Sequence, residues 1–217
     1  MKHFNHDLVT LPTGERIDGF YQTPDGTFPS VTSVVGWKKT QFFAQWRKNN
    51  PKEARRTVNR GVRLHSLLES YVLNTPDCTK SVDPYTLDLF YQIQSEIDKI
   101  DNIRGVESFL WSKTLGLAGR TDCVAEYDGV LSIIDFKGST RPKQEKDIEN
   151  YFLQGTAYAI MWEEMTGQEV DQLVILISCD EGEVQVFKKD INQYKDTLKA
   201  AIVEWKEHYE FGQHKQN

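Results

Sequence analysis

Two carboxylates and a lysine interrupt an otherwise apolar stretch, TDCVAEYDGVLSIIDFK, at residues 121–137. The Asp-Gly pair at 128–129 predicts a two-residue hairpin turn, so residues that face each other across the hairpin have numbers that sum to 257. Asp122 and Asp135 are such a pair, and we expect their Cβ atoms about 4.5–5.5 Å apart on one face of the sheet. Lys137 shares that face because side chains alternate along a strand.

Like charges this close destabilise a half-buried sheet unless something offsets them. A divalent cation would do so, because Mg²⁺ and Mn²⁺ prefer hard oxygen ligands. Lys137 beside that cation could hold a water molecule and help to deprotonate it. The alternative is a surface hairpin in which Lys137 neutralises one aspartate, but the flanking apolar residues LSII favour burial. We therefore expect a metal site at Asp122 and Asp135.

Two helical patterns offer further polar groups. Gly61, His65 and Glu69 recur every four residues and share one stripe of a helix, where the His65 imidazole could bind a metal. A single histidine is nevertheless more often a core or surface residue. Gln154 and Tyr158, also four apart, could contact a substrate or brace the lysine, although this pair is a weak signal on its own.

The elements that must carry these residues can be read from the pattern of the chain. A hairpin around Pro-Asp-Gly precedes a helix at 41–49 and two amphipathic helices. The second of these follows Asp83 as an N-cap and Pro84 at the first helical position. A strand meander, a helix, two strands and a last helix follow. Helices are predicted at 52–73, 84–101, 147–165 and 190–210. The segments QLVILISC and EVQVFKK are predicted to be strands. We expect an α/β fold of the mixed α+β kind, with a mixed central β-sheet flanked by helices.

Length and composition set the broad class. A chain of 217 residues with 39% hydrophobic and 27% charged residues is typical of one globular domain. MKHFNHDLVT does not resemble a signal peptide, and no apolar run approaches the roughly 18 residues of a membrane span. Cys78, Cys123 and Cys179 are too few for a four-cysteine zinc or iron–sulfur site. We expect an intracellular, cytoplasmic protein that is neither secreted nor bound to a membrane.

A basic segment stands out against a formal net charge of −6. Residues 37–63 carry nine basic side chains and one acidic one, or +8, which leaves −14 for the remainder. Such a segment is either a footprint for a polyanion or a solvated helix face. Within it Arg56, Arg60 and Arg63 share a stripe and are the expected contacts of such a polyanion. The segment also holds four aromatic residues, of which we expect at least half to pack in the core: Trp37, Phe42, Phe43 and Trp46.

The order of motifs is more specific than any one of them. Gly-x3-His-x3-Glu, Gly-x2-Asp, Asp-x-Lys and Gln-x3-Tyr, in that order, resemble the RecB-type branch of the PD-(D/E)XK nuclease superfamily. PSVTSVV, RLHSLLES, LAGRTDCVAEYDGVLSIIDFK and LQGTAYA resemble segments of the mitochondrial genome maintenance exonucleases and their phage counterparts. The resemblance runs from about Pro29 to the C-terminal helix.

This resemblance implies a restriction-endonuclease-like core and a role for each matched residue. Mg²⁺ or Mn²⁺, as one or two ions without an iron–sulfur cluster, would be bound by His65, Asp122, Asp135 and the backbone carbonyl of Phe136. Asp122, Asp135 and Lys137 would be catalytic. The supporting residues would be Gln154, Tyr158, Glu107 and Glu69. One departure is Gly138, where relatives usually carry Thr; a hydroxyl of Ser139 or Thr140 could substitute for it.

The implied activity is that of a metal-dependent DNA exonuclease. It would digest single-stranded DNA from free ends, in replication, repair or recombination and in a phage-type setting such as an infected host cell. The implied organisation is one nuclease domain over 1–217, with a hairpin extension at 1–36, a helical region at 37–103 and the core at 104–217. A restriction-type or structure-specific endonuclease of the same superfamily is the first alternative. A non-catalytic DNA-binding module is the second. A CRISPR-associated nuclease with an iron–sulfur cluster is rejected, because this sequence lacks the four cysteine ligands that the cluster needs.

Overall fold

In the part of the chain that the structure describes, the N-terminal half forms three short strands followed by four α-helices. The C-terminal half, again within the described residues, forms a five-stranded sheet and two further α-helices. The computed structural model describes the backbone of residues 1–214 and the side chains of residues 1–210. The elements in chain order are β1 (Arg16–Ile17), β2 (Phe20–Thr23), β3 (Gly26–Pro29), α1 (Val31–Val35), α2 (Trp37–Asn49), α3 (Pro51–Val72), α4 (Pro84–Ile97), β4 (Ile100–Ser112), β5 (Leu117–Tyr127), β6 (Val130–Ser139), α5 (Glu149–Thr166), β7 (Gln172–Cys179), β8 (Gln185–Asp190) and α6 (Lys195–His214).

Strands β4 to β8 form one mixed sheet, in sequence order. β6 and β7 are parallel, and the other neighbours are antiparallel. Along β7, Leu173 and Ile175 enter one hydrophobic core while Val174 and Leu176 enter the other. A strand that is buried on both faces needs an almost continuous apolar sequence, which is why QLVILISC shows no polar alternation. The predicted α/β class with a mixed central sheet is confirmed.

Helices cover both faces of this sheet. The first core lies beneath α1, α5 and α6, and the second lies beneath α3 and α4. Residues of β6 divide between them, because Ile133 belongs to the first core and Ile134 to the second. A side chain on β6 therefore faces either α5 or α3 according to its place in the alternation.

The start of α4 follows the predicted capping chemistry. The Asp83 carboxylate accepts a hydrogen bond from the Thr86 backbone N–H at 3.1 Å, and Pro84 occupies the first helical turn. The helix ends at Ile97 rather than at 101, because β4 begins at Ile100. The first strand of the sheet therefore begins inside the region predicted to be helical.

The N-terminal residues cover the outer edge of β4. His6 forms a parallel bridge with Ile103, and Phe4 is 1% exposed beneath the Tyr71 ring. The predicted hairpin is present as β2 and β3, and β1 adds a third strand. Covering an edge strand removes a row of unpaired backbone groups that would otherwise invite pairing with another chain.

Helix α2 makes little contact with either core. None of its residues is buried, and the side chains of Phe42 and Phe43 are 68% and 45% exposed. Trp37 and Trp46 are only partly buried. The expectation that at least half of these aromatic residues pack in the core is therefore wrong, because the helix lies outside both cores.

No helix in the described part of the chain combines the length and the apolar character needed to cross a membrane.

Candidate active site

The hairpin of β5 and β6 has the predicted register. Paired residues run from Tyr127 and Val130 at the turn to Cys123 and Ile134. The turn itself takes two left-handed residues, Asp128 and Gly129, with φ of 50° and 80°. The next pair outward would be Asp122 and Asp135, but the backbone pairing of β5 with β6 stops before it. The two aspartates therefore flank the point at which these strands separate.

Asp135 lies on the α5 side of the sheet and is 3% exposed. Its Oδ1 accepts a hydrogen bond from the Gln154 amide of α5 at 3.1 Å, and Lys137 Nζ lies 2.6 Å from each of its oxygens. Burial raises the pKa of the Asp135 carboxyl, the Lys137 ammonium lowers it, and the Asp122 charge raises it again. Three of the predicted site residues, Asp135, Lys137 and Gln154, are thus in direct contact.

Lys137 is held in its protonated, ammonium form by the charged carboxylates beside it. Burial alone would lower its pKa, but the Asp135 and Asp122 carboxylates raise it above the ordinary value. The lysine can therefore donate hydrogen bonds to a water molecule or to a phosphoryl oxygen. In this state it cannot accept a proton from water. Of the two roles predicted from the sequence, to hold a water molecule and to help deprotonate it, the ammonium form suits the first.

Tyr151 is a site residue that the sequence reasoning missed. The Lys137 ammonium lies over the Tyr151 ring, 5.2 Å from its centroid. The spacing Tyr-x2-Gln-x3-Tyr places Tyr151, Gln154 and Tyr158 on one face of α5 and was the available signal. An aromatic residue on an amphipathic helix is too common for that signal to be read without the structure.

Tyr158 fills the space above β5. Its ring would lie 2.8 Å from a Cβ placed on Gly119, so only glycine allows this close approach of helix and strand. Burial raises the pKa of the Tyr158 hydroxyl, and the charges of Asp122 and Asp135 raise it further. The first glycine of the Gly-x2-Asp motif is therefore explained by the packing of Tyr158.

Asp122 lies within reach of a residue of α3. Its Oδ2 accepts a hydrogen bond from the Phe136 backbone N–H at 2.8 Å and lies 3.6 Å from His65 Nδ1. His65 in turn packs edge-on against the Phe136 ring, with centroids 6.3 Å apart. The alternation along both strands agrees with the expected placement of the two aspartates on one face, because each lies two residues from a member of the Val124–Ile133 pair, which enters the first core. Asp135 is bound by α5 residues, and Asp122 reaches His65 of α3 where the strands separate.

Glu107 joins His65 and Asp122 in a group that could hold a cation. One ligand atom from each of the three lies within 4.8 Å of the other two. Glu107 has a left-handed backbone, with φ of 47°, which disturbs the normal alternation of β4. Gly105 and Ser108, three residues apart, consequently approach each other on the Trp162 side. Strained backbone of this kind is common at functional sites.

The charges around Glu107 are unbalanced. Burial raises the pKa of Glu107 to about 7, and the charges of Asp122 and Glu69 add to the effect.

Within the described part of the chain, Asp135 Oδ2 is buried and accepts no hydrogen bond of good geometry, although Lys137 lies close to it. Carboxylate oxygens with one imidazole fit Mg²⁺ or Mn²⁺. The residues present therefore fit a divalent cation at this place.

The three arginines predicted to contact DNA have different environments. Arg56 lies over the Tyr85 ring, with its guanidinium carbon 5.6 Å from the centroid, and Arg63 pairs with Asp83 at 3.1 Å on the surface. Arg60 is 5% exposed. The assignment of Arg60 as a free phosphate contact is wrong, because its guanidinium is buried in an ion pair with Asp180 at 2.8 Å.

A cation-rich cavity of about 340 Å³ lies along α3 and α4. Its lining has five basic residues and no acidic one: Lys52, Arg55, Arg56, Arg60 and Arg63, with Asn59, Tyr85 and Thr86. The basic residues of α3 thus line a concave surface rather than a flat helix face.

Neither hydroxyl that follows Gly138 is free to replace a threonine at that position. The Ser139 hydroxyl donates to the Arg141 carbonyl at 2.7 Å, and the Thr140 hydroxyl accepts from Arg60 at 2.9 Å. The space next to Gly138 is taken by the Arg60 side chain.

Comparison with known proteins relates this chain to nucleases. The family model of the PD-(D/E)XK nuclease superfamily matches residues 83–215. The chain is 38% identical to human mitochondrial genome maintenance exonuclease 1 over 85 residues, which are 38% of this chain and 24% of that protein. The mouse protein of that name is 28% identical over 130 residues, covering 54% and 38%. The Xenopus tropicalis protein is 25% identical over 132 residues, covering 55% and 38%. The matched segments thus span less than two fifths of the relatives' lengths.

Among solved structures, a candidate exonuclease from Eubacterium rectale aligns with a TM-score of 0.42 and 13% identity. The alignment covers 69% of this chain and 68% of that one.

Proposed function

The chain belongs to the PD-(D/E)XK nuclease superfamily, and from this premise we propose that it is a metal-dependent deoxyribonuclease that digests single-stranded DNA from free ends. The observation that carries the proposal is the grouping of Asp135, Lys137 and Gln154 on one side of the strand opening, with Asp122 and His65 at the opening itself. A buried acid, a partly buried ammonium and a carboxylate–imidazole pair suit phosphodiester hydrolysis.

His65, Glu107 and Asp122, with Asp135 beside them, would hold the cation. A bound Mg²⁺ or Mn²⁺ would supply stabilisation of charge on the phosphoryl and leaving oxygens and a more acidic water. Lys137 donates a hydrogen bond that orients the attacking water or a phosphoryl oxygen. Gln154 fixes the Asp135 carboxylate, so that the lysine and the acid keep one mutual geometry.

The single-stranded substrate is supported by the surface of α2 and α3. Phe42 and Phe43 are exposed, and bases of a single strand can stack on such side chains. The cation-rich cavity along α3 and α4 would receive the backbone through Arg56 and Arg63. Bases paired in a duplex could not reach an aromatic side chain without strand separation.

The test uses end-labelled linear single strands, with duplex and circular single strands as controls. With Mg²⁺ or Mn²⁺ we expect linear single strands to be shortened from an end and circular strands to stay intact, and EDTA should stop the reaction. Cleavage of the circles would instead indicate the restriction-type or structure-specific endonuclease. Binding without cleavage in any metal would indicate the non-catalytic DNA-binding module.

The proposal extends to organisation and setting. Residues 1–217 would act as one nuclease domain, with an extension at 1–36, a helical region at 37–103 and the core at 104–217. Similarity to mitochondrial genome maintenance exonuclease 1 supports a role in DNA replication, repair or recombination, and the resemblance to phage proteins supports a phage-type setting. The three cysteines are free thiols, which fits a reducing compartment such as the cytoplasm.

A further inference from the structure

A buried arginine fills the space beside Gly138, the residue that follows Lys137. A Cβ placed on Gly138 would lie 3.4 Å from Arg60 Nε and 3.7 Å from Cδ and Cγ of the same side chain. Those distances are ordinary van der Waals contacts, so the Arg60 side chain lies directly against Gly138. The residue after Lys137 is therefore in direct contact with a side chain of α3.

The Arg60 guanidinium joins segments that are far apart in the chain. Its Nη1 donates to Asp180 at 2.8 Å, beyond the end of β7, and to Thr140 at 2.9 Å, beyond the end of β6. The other oxygen of Asp180 accepts a hydrogen bond from the Tyr85 hydroxyl of α4 at 2.5 Å. One side chain of α3 is thus tied to the ends of two strands and, through Asp180, to the neighbouring helix.

Stability alone does not account for this pair. The side chains of Arg60 and Asp180 are 4% and 13% exposed, and Arg60 Nε is buried without a hydrogen-bond partner in the described part of the chain. Removing a charged pair from water costs free energy that the attraction between the charges often only offsets, so apolar residues would serve packing as well. What an ion pair with a defined hydrogen-bond geometry adds is a fixed position for α3.

That position matters because α3 also carries His65. His65 lies five positions after Arg60, or about 7.5 Å along a helix. His65 Nδ1 lies 3.6 Å from Asp122 Oδ2 and shares a 4.8 Å cluster with Glu107. A small movement of α3 relative to β6 would open that cluster, while Asp135 and Lys137, bound by α5 residues, would stay in place.

We propose that Arg60 is a positioning residue, whose pairing with Asp180 and Thr140 holds α3 so that His65 stays within ligand distance of Asp122 and Glu107. The inference rests on the proposed function, since it assigns the His65 cluster to a divalent cation. Residues that orient metal ligands typically change metal affinity or activity by about 10–100-fold when they are replaced.

The test is Mn²⁺ binding to the full chain, measured by titration calorimetry and by the EPR signal of free Mn²⁺. In the Arg60→Met/Asp180→Asn double variant both charges are removed, and the asparagine can still accept from Tyr85. We expect a melting temperature near that of the wild type and a Kd for Mn²⁺ at least about tenfold higher. The kcat should fall while KM for DNA stays similar. The matched control is Arg141→Gln/Glu181→Gln, an exposed pair at the same end of the sheet, and it should leave Mn²⁺ affinity unchanged.

A folded double variant with a Kd for Mn²⁺ within about twofold of the wild type would overturn the inference. If the double variant does not fold, Arg60→Lys carries the test, because lysine keeps the charge but cannot reproduce the guanidinium contacts. Its Kd should rise, and an unchanged value would again overturn the inference. The titration needs no hydrolysis, so a wild type that binds Mn²⁺ but digests no DNA contradicts the proposed function and leaves this test decisive. A wild type that binds no Mn²⁺ contradicts both.

Discussion

The Asp122 carboxylate accepts a hydrogen bond from the Phe136 backbone N–H at 2.8 Å, one residue beyond Asp135 in the neighbouring strand. This contact lies where backbone pairing between β5 and β6 has stopped. A side chain thus satisfies an amide that would otherwise be unpaired, and the strands separate at that point. The separation lets His65 of α3 reach Asp122, while Asp135 is bound by residues of α5.

The two aspartates should respond differently to removal of their charge. Asp135→Asn leaves the partly buried Lys137 ammonium without its carboxylate, so the melting temperature without metal should fall. Asp122→Asn relieves repulsion with Glu107 and keeps an acceptor for Phe136, so its melting temperature should stay level or rise. Both variants should lose DNA hydrolysis. Calorimetry in EDTA checks the contrast, and equal destabilisation by both substitutions would count against these contacts.

Glu107 should make the stability of the metal-free protein depend on pH. Burial first, and then the charges of Asp122 and Glu69, raise its pKa to about 7, above the usual value of 4.5. The folded state therefore binds the proton more tightly than the unfolded chain, and the stabilisation is complete below about pH 4.5 and is lost as pH rises through about 7. In EDTA, the wild type should lose more stability than Glu107→Gln between pH 5 and 8. Parallel pH profiles for the two proteins would refute this assignment.

Tyr151 should matter through its ring rather than through its hydroxyl. A cation–π contact of this kind contributes about 0.5–2 kcal/mol, so Tyr151→Leu should lower kcat by a few-fold to about thirtyfold. Tyr151→Phe keeps the ring beneath the Lys137 ammonium and should behave almost as the wild type. Single-turnover cleavage of bound DNA separates this effect from binding. Equal losses in the Phe and Leu variants would instead assign the role to the hydroxyl, which both variants lack.

Arg56 and Arg63 should contribute to DNA binding through counterion release. Each phosphate contact to a single strand contributes about 0.7 to the slope of log K against log salt, so Arg56→Gln/Arg63→Gln should flatten that slope by about 1.4. Lys80→Gln/Lys199→Gln, which removes two exposed charges that are paired locally elsewhere, is the control. Fluorescence anisotropy of a labelled single strand over a salt series measures both. An unchanged slope in the arginine variant would indicate that the cation-rich cavity is a solvated surface that does not contact DNA.

The features that local chemistry controls were predictable from the sequence. The Asp-Gly turn sets the register of β5 and β6, and Asp83 with Pro84 sets the start of α4, because each depends on residues within a few positions. The grouping of Asp135, Lys137 and Gln154 follows once that register and one helical face are known.

Features that depend on distant partners were not predictable. Arg60 lies on the same stripe as two exposed arginines, and its burial depends on Asp180, 120 positions along the chain. Glu107 adopts a left-handed backbone that no residue type announces, and without it alternation would direct the side chain elsewhere. Ordinary core packing was the better prior for the aromatic residues of α2, yet the helix lies outside both cores.

The role of Lys137 is the central claim, and single-turnover cleavage of an end-labelled single strand in Mn²⁺ tests it most directly. The measurement compares wild type with Lys137→Ala, and the DNA dissociation constant is determined in parallel without cleavage in Ca²⁺. We predict that the wild type shortens the strand from an end, and that Lys137→Ala binds DNA with similar affinity but cleaves at least about a hundredfold more slowly. Cleavage by the variant at the wild-type rate, or equal losses in binding and cleavage, would contradict the account.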